Sequence, residues 1–136
     1  MRSGVLQTSN GYDVFISYSH KEEALAREFE AKLAEQILRC FLTPLTIQAS
    51  SAWEREMWQA ARSARVFLFL VSTEALKSKW CRAEIGAAIA LQRPIIPALV
   101  HSIKLPDILK QFQSAQAQTD SERDGLVQHI KGLCST

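Results

Sequence analysis

The chain has 136 residues and a formal net charge of +2, and 47% of its residues are hydrophobic and 22% charged. This length and composition are typical of one soluble globular domain that is large enough to bury a core. Its lysines and arginines are mixed with acidic residues rather than gathered in a stripe, so we expect no nucleic-acid partner. No apolar run approaches the ~20 residues of a membrane span, so we expect no membrane partner.

The cysteines and histidines limit the chemistry further. Cys40, Cys81 and Cys134 are far apart and odd in number, which favours free thiols in a reducing compartment, and we expect a cytoplasmic protein. The histidines have no ligand spacing to one another or to the cysteines, so we expect no metal site. Residues 1–11 are polar and lack a signal-peptide core. We interpret them as a flexible N-terminal segment before one domain at residues 12–134.

Strand and helix patterns alternate in the first part of the chain. Residues 13–18 form a short, mostly apolar run that predicts a buried strand. Ser19 and Glu22 form a capping box, which predicts a helix to about Leu38, and residues 40–42 predict a second short strand. The apolar side chains at four-residue steps of this helix are Leu25, Phe29, Leu33 and Ile37.

The same alternation continues in the middle of the chain. A capping box at residues 51–54 predicts a second helix. Residues 65–72 form the clearest strand, an apolar run without alternation that predicts burial on both faces. A helix over residues 80–91 follows. Residues 94–100 predict a fourth strand, in which Pro97 is unusual because it cannot donate a ladder hydrogen bond.

The last elements complete the pattern. Residues 112–117 are a weak candidate for a fifth strand, and Thr119 with Glu122 forms a capping box before a final helix. This alternation predicts an α/β fold, a flavodoxin-like doubly wound parallel sheet in a single domain. Ligands bind such sheets outside the carboxyl ends of the strands, where strand order reverses. Residues 18–20 and 71–73 follow the first and third strands, so we expect them to flank this crevice.

Trp80 and Glu84 stand one helical turn apart, and their shared face continues as an apolar stripe to Leu91. A carboxylate in line with an apolar stripe is costly to bury, so its presence needs a reason. The simpler interpretation is a partly exposed glutamate in the first helical turn, where its removal changes stability by under ~1 kcal/mol. The other interpretation is a functional carboxylate near the crevice, since this helix follows the third strand.

Three segments resemble the Toll/interleukin receptor, or TIR, domain family. Residues 12–18 resemble its first signature strand, residues 78–84 the Trp-Cys-x-x-Glu segment of its NAD-cleaving members, and residues 94–97 its fourth strand. The resemblance spans nearly the whole chain and is to bacterial members more than to plant ones. It implies cleavage of NAD+ in signalling or defence, with Glu84 as the catalytic carboxylate. Other members are non-catalytic adaptors that act through domain contacts.

Cleavage of the bond between nicotinamide and ribose can proceed with one carboxylate. Nicotinamide leaves as a neutral base and needs no general acid, unlike the leaving group of an ordinary glycoside. The oxocarbenium charge that develops on the ribose is stabilised by a nearby carboxylate, for which Glu84 is the candidate. The products are nicotinamide and either ADP-ribose or a cyclic isomer. NAD+ is then the substrate, and we expect no resident cofactor.

Aromatic and hydroxyl side chains near the crevice are the candidate substrate contacts. They are the aromatic residues Tyr18, Trp53 and Trp80 and the serines Ser17, Ser19 and Ser72. The aromatic rings can hold nicotinamide or adenine, and the serines can bind ribose or phosphate. We expect Glu84 to open onto a pocket shared with Tyr18 and Trp80. Trp80 is equally open to a role in the core, and Ser19 to a role as a helix cap.

Other proteins with such sheets need residues that this chain lacks. A phosphoreceiver domain needs an aspartate after the third strand, and a Rossmann dehydrogenase needs a glycine-rich first turn; residues 71–73 and 18–20 provide neither. The remaining alternative is a non-catalytic TIR interaction module that acts by homotypic association. We expect TIR–TIR association in either case, because residues 43–52 contain no glycine and favour a packable loop, with Trp53 as a contact anchor.

Overall fold

A five-stranded sheet organises the chain. The structure is a computed structural model that describes residues 11–42 and 51–135, apart from the side chains of residues 51–54. The strands in these ranges are β1 Val14–Ser17, β2 Cys40–Leu42, β3 Val66–Val71, β4 Ile95–Leu99 and β5 Ala115–Gln116. The helices are α1 Glu23–Glu35, α2 Ser51–Ser63, α3 Thr73–Lys77, α4 Lys79–Ala90 and α5 Asp120–Cys134. In the part of the chain that the structure describes, no helix has the length and apolar character needed to span a membrane.

The strands lie in the order β2-β1-β3-β4-β5, and every neighbouring pair is parallel. This order is flavodoxin-like and confirms the predicted doubly wound fold. Strand order reverses between β1 and β3, whose register pairs Ser17 with Phe69. The carboxyl ends of these two strands therefore form the crevice at which folds of this kind bind ligands.

Two apolar layers cover the two faces of the sheet. One face packs on α1 and α5, through side chains such as Phe29 and Ile130. The other face packs on α2, α3 and α4, through side chains such as Met57 and Ile85. All residues of β3 are buried, as its unalternating apolar run predicts. Each large apolar side chain buried in this way contributes about 1.5–3 kcal/mol, so the two layers hold the sheet between them.

Pro97 lies in the interior of β4 at a position where no ladder hydrogen bond is lost. The Val100 N–H donates to the Val71 carbonyl at 3.4 Å, so the amides of β4 that face β3 belong to even-numbered residues. The nitrogen of Pro97 therefore faces the β5 side, where pairing begins only at Ala98. This placement explains how a proline fits within the sheet.

The predicted helix starts have different outcomes. Thr119 Oγ1 accepts from the Glu122 N–H at 3.1 Å and the Glu122 carboxylate accepts from the Thr119 N–H at 3.0 Å, which confirms that capping box. The prediction of a capping box at Ser19 is wrong. A 3₁₀ turn at His20–Glu22 precedes α1, and the Ser19 hydroxyl donates to the Glu22 carboxylate instead of capping the backbone. The capping side chains at residues 51–54 and the segment at residues 1–10 lie outside what the structure describes.

The first helix ends at Glu35 rather than near Leu38. The Leu38 N–H donates to the Leu33 carbonyl at 3.0 Å, which closes the helix with a turn of the Schellman type. This turn holds Ile37 at φ 63° with 91% of the residue exposed. The predicted extension of the helix through Ile37 is therefore wrong, because the apolar spacing continues past the point where the chain turns toward β2.

We expect Ile37→Gly to raise the free energy of unfolding by about 1 kcal/mol. A β-branched residue is strained in the left-handed region, whereas glycine adopts that region without steric cost. The exposed Ile37 side chain buries little apolar surface that the substitution would lose. Urea unfolding measures the change directly.

Ile108 is the matched control for this substitution. It is 54% exposed, and it is not among the described residues that have a positive φ. Ile108→Gly is therefore expected to lower stability by about 0.5–1 kcal/mol, because glycine gains no relief there and loses more backbone entropy on folding. A loss of stability for both variants would show that strain at Ile37 is negligible.

Candidate functional site at the carboxyl edge of the sheet

The buried polar side chains of the described residues gather at one edge of the sheet. They are Ser17, Ser19, Ser72 and Glu84. Ser17 is the last residue of β1, Ser72 directly follows β3, and α4 brings Glu84 to them. Because burying polar groups costs free energy unless they are hydrogen-bonded, their concentration at the crevice marks this edge as the candidate site.

Glu84 is enclosed beneath the end of β1. The Ser17 hydroxyl donates to Glu84 Oε1 at 2.6 Å, and Glu84 is 0% exposed. Its helix begins at Lys79, where the Ser78 side chain accepts from the Cys81 N–H at 3.2 Å as an N-cap, and no acidic residue lies in its first turn. The simpler interpretation of Glu84, a partly exposed residue in the first turn, is therefore wrong.

A second carboxylate connects the ends of β1 and β3. The hydroxyls of Ser19 and Ser72 both donate to Glu22 Oε1, at 2.5 and 2.6 Å. Ser72 Oγ also accepts from the Ala75 N–H at 3.0 Å and so caps α3. The spacing of Ser19 and Glu22 predicts only a helix cap and gives no sign of this role. Its partner Ser72 is distant in sequence, and only the order of the strands brings the two together.

Cys81 is buried on α4, one turn before Glu84. Burial is the main reason that the pKa of its thiol is raised, and the nearby Glu84 and, less strongly, Glu22 raise it further. The side chains of Ser78 and Ser17 oppose this rise in the pKa of Cys81 by hydrogen bonding. A thiol with a raised pKa stays protonated near neutral pH, so Cys81 is a small buried residue rather than a nucleophile.

The three aromatic candidates have different surroundings. Tyr18 is 5% exposed and packs in the buried layer on the α1 and α5 side, whereas the neighbours of Glu84 on α4 pack on the other side. Burial raises the pKa of Tyr18 to about 12. Trp80 is half-buried in the first turn of α4. The side chain of Trp53 lies outside the described residues.

The three serine candidates meet at the crevice, where each hydroxyl already donates to a carboxylate of this chain. The Ser17 hydroxyl donates to Glu84, and the hydroxyls of Ser19 and Ser72 donate to Glu22. The Glu84 carboxylate has no exposed surface, so a substrate reaches it only if neighbouring groups move. In the described ranges, no group of three or more His, Cys, Asp or Glu side chains is placed to hold a metal ion.

Solved structures share this fold at low sequence identity. The TIR domain of the Toll-related receptor TRR-2 from Hydra magnipapillata is 19% identical, with a TM-score of 0.72 over 88% of this chain and 98% of that chain. The RPS4 and RRS1 TIR domain heterodimer is 11% identical, with a TM-score of 0.68 over 91% of this chain and 99% of that chain. The TIR domains of the activated Roq1 resistosome are 18% identical, with a TM-score of 0.52 over 66% and 59%.

A search of curated proteins found no match. The family model described as TIR domain, in contrast, matches residues 14–130, which include the whole crevice and both carboxylates. The parallel five-stranded sheet and the likeness to solved TIR domains agree with this match. The chain therefore belongs to the TIR domain family.

Proposed function

We propose that this TIR domain cleaves the bond between nicotinamide and ribose in NAD+, with Glu84 as the catalytic carboxylate. The observation that carries the proposal is a fully buried carboxylate held by Ser17 at the point where strand order reverses. An apolar residue of similar volume at that place would cost the fold less than a carboxylate does. A domain that only provides contacts has no use for this group.

The reaction follows from the charge of the substrate. As the bond to C1′ breaks, nicotinamide leaves as a neutral base and the positive charge passes to the ribose ring. A carboxylate in a site that excludes water stabilises this charge more strongly than it would in water. Attack of water at C1′ then gives ADP-ribose and a proton, and attack of a nitrogen of the adenine ring gives a cyclic isomer.

The contacts to the rest of NAD+ are part of the same proposal. Trp80 stands one turn before Glu84 on α4, so its half-buried ring can lie against a bound nicotinamide. Tyr18 and Trp53 remain proposed substrate contacts around the crevice, and Ser19 and Ser72 act there through Glu22, to which both donate. A substrate that uses Tyr18 has to reach the α1 and α5 side of the sheet as well, because the ring packs there.

We further propose that association of TIR domains completes the site. Glu84 is enclosed in the single chain, so an active state requires a rearrangement that a neighbouring copy can stabilise. The solved relatives include a TIR domain heterodimer and the TIR domains of an activated resistosome. The partners of this chain would be NAD+ and a second copy of the domain.

A non-catalytic interaction module is the second candidate function. The enclosure of Glu84 favours it, because a carboxylate that no solvent reaches serves no substrate in this state. The solved relatives that form a heterodimer and a resistosome are compatible with it. The two candidate functions predict different effects of a Glu84 substitution on nicotinamide release and on the melting temperature.

Glu84→Gln is expected to lower the rate of nicotinamide release by a factor of about 10²–10³ or more, because a neutral amide cannot stabilise the cationic ribose. The amide oxygen can still accept from Ser17 and no buried charge remains, so we expect a melting temperature equal to or above that of the wild type. Incubation with NAD+ and thermal unfolding measure the two effects. Glu84→Ala is less useful, because truncating an enclosed side chain leaves a cavity and costs about 2–5 kcal/mol.

Glu74→Gln is the matched control. Glu74 lies on α3, with its carboxylate 3.2 Å from Lys21 Nζ and its side chain 36% exposed, and its loss is expected to leave turnover near the wild-type level. A purely structural Glu84 would instead show a lowered melting temperature with activity reduced only in proportion to the folded fraction. If the wild-type protein releases no nicotinamide, even when assembly is forced, the interaction module is the correct function.

Turnover of NAD+ per molecule is expected to rise with protein concentration, because association stabilises the open site. Fusion of the domain to an oligomeric carrier should raise turnover per molecule at a fixed low concentration, and Glu84→Gln in the same fusion should not respond. Nicotinamide release measured across a wide range of protein concentrations tests this. Turnover per molecule that stays constant over that range would contradict the role of association.

A further inference from the structure

Ser19 and Ser72 have no hydroxyl proton left for a ligand. A serine hydroxyl carries one proton, and both serines donate theirs to Glu22 Oε1, at 2.5 and 2.6 Å. Ser72 Oγ also accepts from the Ala75 N–H at 3.0 Å. Phosphate oxygens are acceptors, so neither serine can bind them without giving up Glu22. The group with binding capacity at this end of the crevice is therefore the carboxylate that the serines hold.

Glu22 keeps half of its acceptor capacity. A carboxylate accepts through both of its oxygens, and the two serines use only Oε1. Within the described ranges, Oε2 takes part in no hydrogen bond or ion pair. Glu22 is half-buried whereas Glu84 is fully buried, so part of the Glu22 residue is open to solvent without the rearrangement that Glu84 requires. The serines fix the position of the side chain and leave one oxygen for a donor.

We propose that Glu22 accepts hydrogen bonds from the hydroxyls of the nicotinamide ribose of NAD+, with Ser19 and Ser72 as its positioning residues. The inference rests on the proposed function and names the residue that recognises the sugar. A carboxylate repels the diphosphate and attracts donors, and the vicinal hydroxyls of a ribose offer two donors to one carboxylate.

The position of Glu22 selects the reacting ribose rather than the adenosine ribose. Glu22 extends from the turn after β1, and Glu84 is bonded to the last residue of the same strand. The two carboxylates can therefore address one sugar, Glu84 at the carbon that loses nicotinamide and Glu22 at the hydroxyls.

A cycle of enzyme and substrate variants tests the contact. The kcat/KM for NAD+ is compared with that for two analogues, one lacking the 3′-hydroxyl of the nicotinamide ribose and one lacking the 3′-hydroxyl of the adenosine ribose. In the wild type, loss of the nicotinamide-ribose hydroxyl is expected to lower kcat/KM by about 10- to 100-fold, as for a hydrogen bond to a charged group. In Glu22→Met, which has no carboxylate, NAD+ and this analogue are expected to differ by less than about 3-fold.

The controls distinguish a lost contact between Glu22 and the ribose from a general loss of folded structure. Glu74→Gln is expected to keep the wild-type discrimination, and the adenosine-ribose analogue should lose the same factor in every variant. Glu22→Gln, which keeps the side-chain shape, carries the test if Glu22→Met does not fold, and it is expected to reduce the discrimination at least about 3-fold. Melting temperatures establish that the variants are folded.

The outcomes distinguish this inference from the function on which it rests. A Glu22 that only braces the strands would lower kcat/KM by the same factor for all three substrates, and that result would overturn the inference. Discrimination that shifts to the adenosine-ribose analogue would overturn it as well. A wild-type protein that releases no nicotinamide removes the proposed function and the inference together, whereas an active wild type with unchanged discrimination in the Glu22 variants removes the inference alone.

Discussion

Parallel pairing of β1 with β3 is the constraint on which the candidate site depends. Because the two strands run in the same direction, the residues that follow them emerge at the same edge of the sheet. Ser17, Ser19 and Ser72 meet there although two of them belong to one strand end and one to another. The crossover from β1 through α1, β2 and α2 to β3 then leaves a crevice at this edge, which α4 closes from one side.

The site is a polar exception in an otherwise apolar interior. Residues on both faces of β1 and β3 are apolar. The polar side chains begin at Ser17, the last residue of β1, and at Ser72, directly after β3. Each carboxylate is held by serine hydroxyls rather than left without a partner, which reduces the cost of its burial. This cost in folding free energy arises at one edge of the sheet, and the buried apolar layers on the two faces of the sheet compensate for it.

The two carboxylates differ in access. Glu84 is enclosed and Glu22 is half-buried, so the proposed chemistry and the proposed sugar contact lie at different depths of one crevice. In the proposed mechanism, the single chain binds the ribose through Glu22 while Glu84 is still enclosed. Association of domains then makes Glu84 reachable. An enclosed carboxylate would connect the proposed cleavage of NAD+ with the proposed association, since the same contacts between domains would control both.

Local pattern predicted most of the elements, because short apolar runs and helical spacing reflect burial on a sheet and on a helix face. The same pattern failed at Ile37, where four-residue spacing continues past the end of α1, and at Ser19, whose hydroxyl has a better acceptor in a carboxylate than in the helix backbone. It could not decide between exposure and burial of Glu84, because both are compatible with one residue on a helix face.

The sequence by itself determined the parallel sheet, the position of its crevice and Glu84 as the candidate carboxylate. Only the tertiary structure decided that Glu84 is enclosed against Ser17, that Tyr18 packs on the opposite layer, and that Glu22 is the carboxylate to which Ser19 and Ser72 donate. The physical reason is distance along the chain. The hydrogen bonds Ser17–Glu84 and Ser72–Glu22 join residues of separate elements, and they depend on strand order and register, which no local spacing contains.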